Sequence, residues 1–188
     1  HNTQYGRICS VETPEGPKVG QVKNLALTCD ITINLDPELQ KVLEENVYEV
    51  AEGCGFTSLD EISMAGIEDK VPVFMNGLWL GFVDDPISMV NELRYRKCYD
   101  IIDRTVSICY DFKNHEVNIF SDKGRLIRPL LRVENNNLLI TRKILDDIQI
   151  HYYSATDKIV NWDSFLLRYP GIMEYLDVDE EQLSLIHI

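Results

Sequence analysis

Asn76-Gly77 constrains the fold of this chain more than any other pair of residues in it. The dipeptide stands between two apolar runs, VPVFM (Val71–Met75) and LWLGFV (Leu78–Val83). Two residues that tolerate positive φ, flanked by strand-forming sequence, predict a β-hairpin. A chain committed to that hairpin must bury one of its faces against something else, and the flanking sequence supplies helices for the purpose.

Asp36-Pro37 and Asp85-Pro86 each set an N-cap acid before a proline whose fixed φ suits the first helical position. The first predicts a helix with Leu39, Val42, Leu43, Val47 and Val50 as its buried stripe, stopped by Gly53 and Gly55. The second carries helical spacing at Ile87, Val90 and Leu93. Upstream, VGQVKNLALTCDITINL reads as an apolar turn entering an alternating strand with Ile31, Ile33 and Leu35 on one face. Asp60, Glu61, Glu68 and Asp69 belong to an acidic, poorly patterned link. TVSICYDF, EVNIFSD and RLIRPLLRV read as three strands, and the short turns KNH and KGR between them predict a meander. Asn135, Asn136 and Asn137 mark a surface loop. Helices are expected around residues 141–150 and 162–169, the second ended by Pro170-Gly171, and IMEYLDV closes as a strand. The fold class is α+β, with a hairpin, a meander and short helices, and no internal repeat.

With 188 residues, 45% hydrophobic and 26% charged, the chain has the make-up of a globular protein of one domain or two small ones. No run approaches the roughly 18 apolar residues of a membrane span, and no signal-peptide pattern is present. Cys9, Cys29, Cys54, Cys98 and Cys109 form no C-x-x-C pair. This argues against a zinc site or disulfide framework and for a reducing compartment, with each cysteine a small buried hydrophobe. The net charge of −13 opposes general nucleic-acid binding. The first 24 residues nevertheless carry +1, from Arg7, Lys18 and Lys23 against Glu12 and Glu15, leaving −14 for the remainder. If any part faces nucleic acid, it is this opening stretch.

GRICSVETPEGPKVG, residues 6–20, is dense in chemistry. Its overlapping turns TPEG and EGPK combine prolines with Gly16, which can take φ > 0, so the segment is expected to be stiff and compact. A phosphate loop is rejected: neither G-x-x-x-x-G-K-[ST] nor G-x-G-x-x-G occurs, and Lys18 lies between Gly16 and Gly20. Glu12 and Glu15 could form a carboxylate pair for a hard cation, but solvent-exposed turn residues or ion-pair partners suit them better.

The stretch HNTQYGRICSVETPEGPKVGQVKNLAL closely resembles the second-largest (β-type) subunit of multisubunit DNA-dependent RNA polymerases, where it forms part of the fork. The likeness continues in order through VFMNGLWLGFVDDPISMVNELRYRK, EVNIFSDKGRLIRPLLRV and GIMEYLDVDEE, and fits the eukaryotic, archaeal and large-DNA-virus type. Ser10 stands where the family usually has Pro, and Gln4 where His is common. The resemblance implies part of a larger multidomain subunit. Residues 1–35 would belong to the fork region, 36–103 to the first segment of the external 2 region and 104–182 to its second. It further implies nucleotidyl transfer on a DNA template, with Mg2+ bound mainly by the largest subunit and no catalytic or metal-binding residue here. Arg7, Glu12, Thr13, Pro14, Glu15, Gly16 and Lys18 would lie on the fork near the active centre. The implied partners are the largest and other polymerase subunits, the DNA template and the RNA–DNA hybrid. The implied location is intracellular: the nucleus, or the cytoplasm or virion for an archaeal or viral member.

Further features carry paired readings. Arg7 is a structural or phosphate-facing cation, or the buried partner of Glu12 or Glu15. DKGR (residues 122–125), with Arg128, is an anion site or, preferably, a turn whose arginines meet local carboxylates. Trp79 is a docking aromatic or, preferably, a core anchor. His115 and His151 read as surface residues. Tyr152, Tyr153 and Trp162 read as core or half-buried aromatics, and DVDEEQ as a solvated acidic edge. The start at His1 rather than Met implies an upstream portion, and the closing LSLIHI (183–188) resembles a translated sequencing adapter. Two other functions compete: a stand-alone acidic interaction module, and a nucleotide-binding enzyme using ETPEGPKVG.

Overall fold

The computed structural model describes residues 2–61, 69–154 and 162–184. Its central body is a five-stranded sheet covered by two helices. The hairpin forms as expected, from β3 (Val71–Met75) and β4 (Leu78–Val83), with Asn76 at φ 49° and Gly77 at φ 78° in the turn. The short strand β2 (Thr57–Ser58) pairs with β4. β5 (Ser107–Asp111) and β6 (Glu116–Phe120) form a second antiparallel hairpin, and β6 lies parallel to β3, giving the order β2-β4-β3-β6-β5.

Both Asp-Pro signals start helices: α1 (Pro37–Gly53) after Asp36 and α2 (Pro86–Cys98) after Asp85. The Asp85 carboxylate accepts a hydrogen bond from the Ser88 amide at 3.0 Å. Hydrogen bonds from the Ser88 side chain and then its amide hold the Asp85 carboxyl below the usual range, and the amide bond satisfies an otherwise open helix-start donor. α1 buries Leu43, Val47, Val50 and Ala51, and α2 buries Met89, Val90 and Leu93. These pack with Val73, Val83, Ile108, Val117 and Ile119 of the sheet in one core. Each fully buried aliphatic side chain contributes about 1.5–3 kcal/mol, which outweighs the weak intrinsic preferences of the short elements. The stripe is narrower than expected: Leu39, Val42 and Ile87 stay exposed.

The predicted meander does not form. After β6 the chain leaves the sheet, and β7 (Leu126–Leu131) pairs with β1 (Asp30–Ile31) and β10 (Met173–Leu176) in a second, antiparallel sheet. Thr32 makes the corner. Its hydroxyl donates to the Asp122 carbonyl and accepts from the Arg125 amide, while its own carbonyl accepts from the Gly124 amide. Thr32 is therefore the buried residue here, and Ile31 and Ile33 face outward, reversing the expected face.

Trp79 is not a core anchor. A bulge between Val73 and Phe74 resets the alternation of the hairpin, turning Leu80 inward and leaving Trp79 outside. There it stacks on Phe74 at 6.0 Å, meets Phe82 edge-on at 5.2 Å and donates its ring N–H to the Gly81 carbonyl.

Asn135 and Asn136 form the exposed turn between β8 (Val133–Glu134) and β9 (Asn137–Leu138). α3 (Arg142–Ser154) and α4 (Trp162–Arg168) follow, and Gly171 at φ 77° lies just beyond the second. Of the cysteines only Cys109 is fully buried; the others are half-buried and free. His115 is exposed, whereas the side chains of His151, Tyr152, Tyr153 and Trp162, and residues 185–188, lie outside what is described. After β10 the chain forms α5 (Val178–Ser184), which packs against β5.

Candidate functional site

The opening stretch forms one projecting loop. Two backbone hydrogen bonds tie its base, Cys9 N–H to the Asn24 carbonyl and Ala26 N–H to the Arg7 carbonyl, each 2.8 Å. Between them the chain turns on Gly16 and Gly20, at φ 83° and 75°, around a single 3-10 turn, Gly16–Lys18, with Pro17 as its second residue. Thr13 braces the tip. Its hydroxyl accepts from the Gly20 amide at 3.2 Å and donates to the Val22 carbonyl at 3.4 Å. The Asn24 side-chain amide closes the other flank on the Glu12 carbonyl at 3.1 Å. Of the two overlapping turns expected, EGPK forms as the 3-10 turn while residues 12–14 run without one, and the loop is braced by Thr13 and Asn24 rather than by its own charges.

Those charges stand in solvent. Glu12, Glu15, Gly16 and Lys18 are exposed, as is Thr13, and Pro14 is half-buried. Val11, Val19, Val22 and Leu25 are also exposed, and Leu27 is fully so. The loop therefore offers apolar and charged groups together on a stiff frame.

Arg7 is the one member of the predicted set that is sealed inside, at 2% exposure. It meets neither Glu12 nor Glu15. Its Nε donates to the Leu126 carbonyl at 3.1 Å and its Nη2 to the Leu176 carbonyl at 3.0 Å, while Nη1 pairs with Glu181 at 2.8 Å. With three of its nitrogens bound to protein acceptors, the guanidinium is structural and not a phosphate contact.

Glu181 is shared with Arg128, whose guanidinium lies 5.4 Å from the Tyr5 ring centroid. Burial would raise the Glu181 carboxyl, but hydrogen bonds from Arg128 and Arg7 outweigh it and hold it below the ordinary range. Gly6, at φ 72°, lets the backbone pass directly over Arg128, where a Cβ would overlap the guanidinium.

Of the run DVDEEQ expected as a solvated edge, Asp179 and Gln182 are exposed, but Asp177, Glu180 and Glu181 join this network together with Glu174. Glu174, Asp177 and Glu180 are buried. Glu174 takes Arg94 of α2 bidentately at 3.1 and 3.2 Å, and Asp177 meets Arg125 at 3.3 Å. Glu180 pairs with Lys97 of α2 at 2.8 Å. Burial pushes the Glu180 carboxyl up to about 7, against the pull of Lys97. Arg125 also meets Asp122 at 3.0 Å, so the turn reading of DKGR holds over the anion-site reading. The sequence signal was an acid about every third residue from 174 to 181, matched by Arg94 and Lys97 and by Arg125 and Arg128, each pair three apart.

The described residues include no group of three or more His, Cys, Asp or Glu side chains placed to hold a metal ion. Glu12 and Glu15 sit on an open turn with no third carboxylate converging on them.

Two family models match: "RNA polymerase Rpb2, domain 3" over residues 1–31 and "RNA polymerase Rpb2, domain 4" over residues 73–134. The chain is 36% identical to DNA-directed RNA polymerase II subunit RPB2 of Encephalitozoon cuniculi over 99% of its length, and 35% identical to DNA-directed RNA polymerase subunit 2 of Acanthamoeba polyphaga mimivirus over 97%. An archaeal relative, subunit Rpo2 of Saccharolobus solfataricus, is 33% identical over 97% of the chain. The chain spans 14%, 15% and 16% of the viral, microsporidian and archaeal relatives, respectively.

Proposed function

This chain belongs to the family of second-largest subunits of DNA-directed RNA polymerases, and from that membership we infer that it serves template-directed RNA synthesis from ribonucleoside triphosphates. Its own part is positional. Residues 1–35 act as a wall of the fork close to the RNA–DNA hybrid, with Glu15 and Lys18 at the tip of the stiff loop. Residues 36–182 act as outer scaffold, the external 2 region. The chemistry belongs to the assembled enzyme, where Mg2+ is held mainly by the largest subunit. The other subunits, the DNA template and the hybrid are the partners, inside the cell or virion.

The observation that carries this reading is the build of the loop: a braced, solvent-facing tip on a base anchored by a buried arginine. A loop that must hold its shape beside a strand junction works against duplex stacking of about 1.4 kcal/mol per step, and so needs such an anchor. A stand-alone acidic binding module is disfavoured, because Glu174, Asp177, Glu180 and Glu181 are engaged internally by arginines and a lysine.

The test is Glu15→Ala in the complete polymerase. Elongation rate or fidelity is expected to change while subunit assembly stays normal. Unchanged elongation with lost assembly would overturn the reading.

A further inference from the structure

Neighbouring residues of α5 hold two different parts of the molecule. Glu180 faces α2, pairing with Lys97 at 2.8 Å and lying 3.9 Å from Arg94. Glu181 faces the loop base, pairing with Arg7 at 2.8 Å and with Arg128 of β7. Asp177 starts the helix by accepting from the Glu180 amide at 2.9 Å, and it also holds Arg125. Glu174, on β10 just before, takes Arg94.

We propose that β10 and α5 form a latch that orients the projecting loop relative to the five-stranded body, with Arg7 and Glu181 as its positioning residues. Two features make this more than a stabilising cluster. The loop is tied by two backbone hydrogen bonds at its base, and its tip residues are exposed, so its direction depends on how that base is seated. The base is seated through Arg7, whose three acceptors come from β7, β10 and α5. A shift of α5 against α2 therefore reaches the loop base through Arg7 and, beside it, through Arg128, which Glu181 also holds and which lies against Tyr5 and Gly6. The latch stands on these contacts alone; its consequence for elongation rests on the fork reading given above.

Amide hydrogen exchange on this chain tests it. In Glu181→Gln, the amides of Cys9 and Ala26, which close the loop base, are expected to exchange about tenfold faster, while those of β3 and β6 keep their rates. Arg7→Lys retains the charge opposite Glu181 but cannot span all three acceptors, and should fall between. If Glu181→Gln does not fold, Arg7→Met/Glu181→Leu removes both charges together and is read in the same way. Unchanged exchange at Cys9 and Ala26, or an equal rise across β3 and β6, would overturn the latch. In the assembled polymerase, Glu181→Gln should slow elongation several-fold without loss of assembly, and non-additively with Glu15→Ala. Faster exchange with unchanged elongation leaves the latch standing and overturns the fork reading.

Discussion

Lys97 and Glu180 meet at 2.8 Å with side chains only 2% and 1% exposed. Two charges so withdrawn from water tolerate joint removal far better than the loss of one partner. Lys97→Met or Glu180→Gln alone is expected to destabilise the fold by about 3–5 kcal/mol, because each strands a buried charge. The double variant Lys97→Met/Glu180→Leu should come within about 1 kcal/mol of the parent, or exceed it. Urea unfolding of the three variants checks this, and equal losses for single and double changes would contradict it.

The same pair sets a pH dependence. The Glu180 carboxyl is raised from 4.5 to about 7 in the folded chain, surrounded by Lys97, Arg94 and Glu174. Between those values the folded state holds more protons than the unfolded one, so this group's contribution to stability falls as pH rises. Glu181 acts in the opposite sense: its carboxyl is lowered, and its contribution is lost as pH falls through the acid range. Comparing unfolding midpoints at about pH 5 and about pH 8 isolates Glu180. The parent should lose stability relative to Lys97→Met/Glu180→Leu on going to the higher pH. Parallel shifts in both proteins would count against the assignment.

Gly81 and Gly77 should respond very differently to alanine. A Cβ on Gly81 would sit 2.5 Å from the Thr57 carbonyl oxygen and 2.7 Å from the Phe56 ring, so β2 would have to move. Gly77 has open space but φ 78°. Gly81→Ala is expected to cost roughly 2–3 kcal/mol by overpacking, and Gly77→Ala about 1 kcal/mol by backbone strain. Thermal unfolding ranks the two, and the reverse order would refute the explanation.

Thr13→Val removes the hydroxyl that links the Gly20 amide to the Val22 carbonyl. The expected result is faster proteolysis within residues 9–24 at an unchanged melting temperature, since the loop tip lies outside the core. A lowered melting temperature with unchanged loop cleavage would show that Thr13 acts elsewhere.

Where structure follows from adjacent residues, the sequence was readable. Asn76-Gly77 makes its turn, and Asp85 caps its helix through Ser88 three residues on. The positive φ of Gly16 and Gly20 in the loop followed in the same way, whereas its bracing by Thr13 and Asn24 did not. What could not be read was partner choice across long separations. β7 has strand composition whichever neighbour it takes, and its departure from β6 depends on Thr32, some ninety residues earlier. The acid-rich segment looked like solvent-facing sequence because its cations arrive from α2, from β7 and from residue 7. Trp79 was misplaced by a bulge that shifts the alternation by one residue, which composition does not register.

Arg7 and the Leu176 carbonyl are 169 positions apart in the chain. On a ribosome, the loop is made early, but its anchor does not exist until the stretch carrying Leu176 and Glu181 has emerged. At roughly 5–20 residues per second, that interval is on the order of ten to thirty seconds. Throughout it the Arg7 guanidinium lacks its acceptors on Leu176 and Glu181. The order of synthesis thus makes the loop's final orientation one of the last events in the folding of this region.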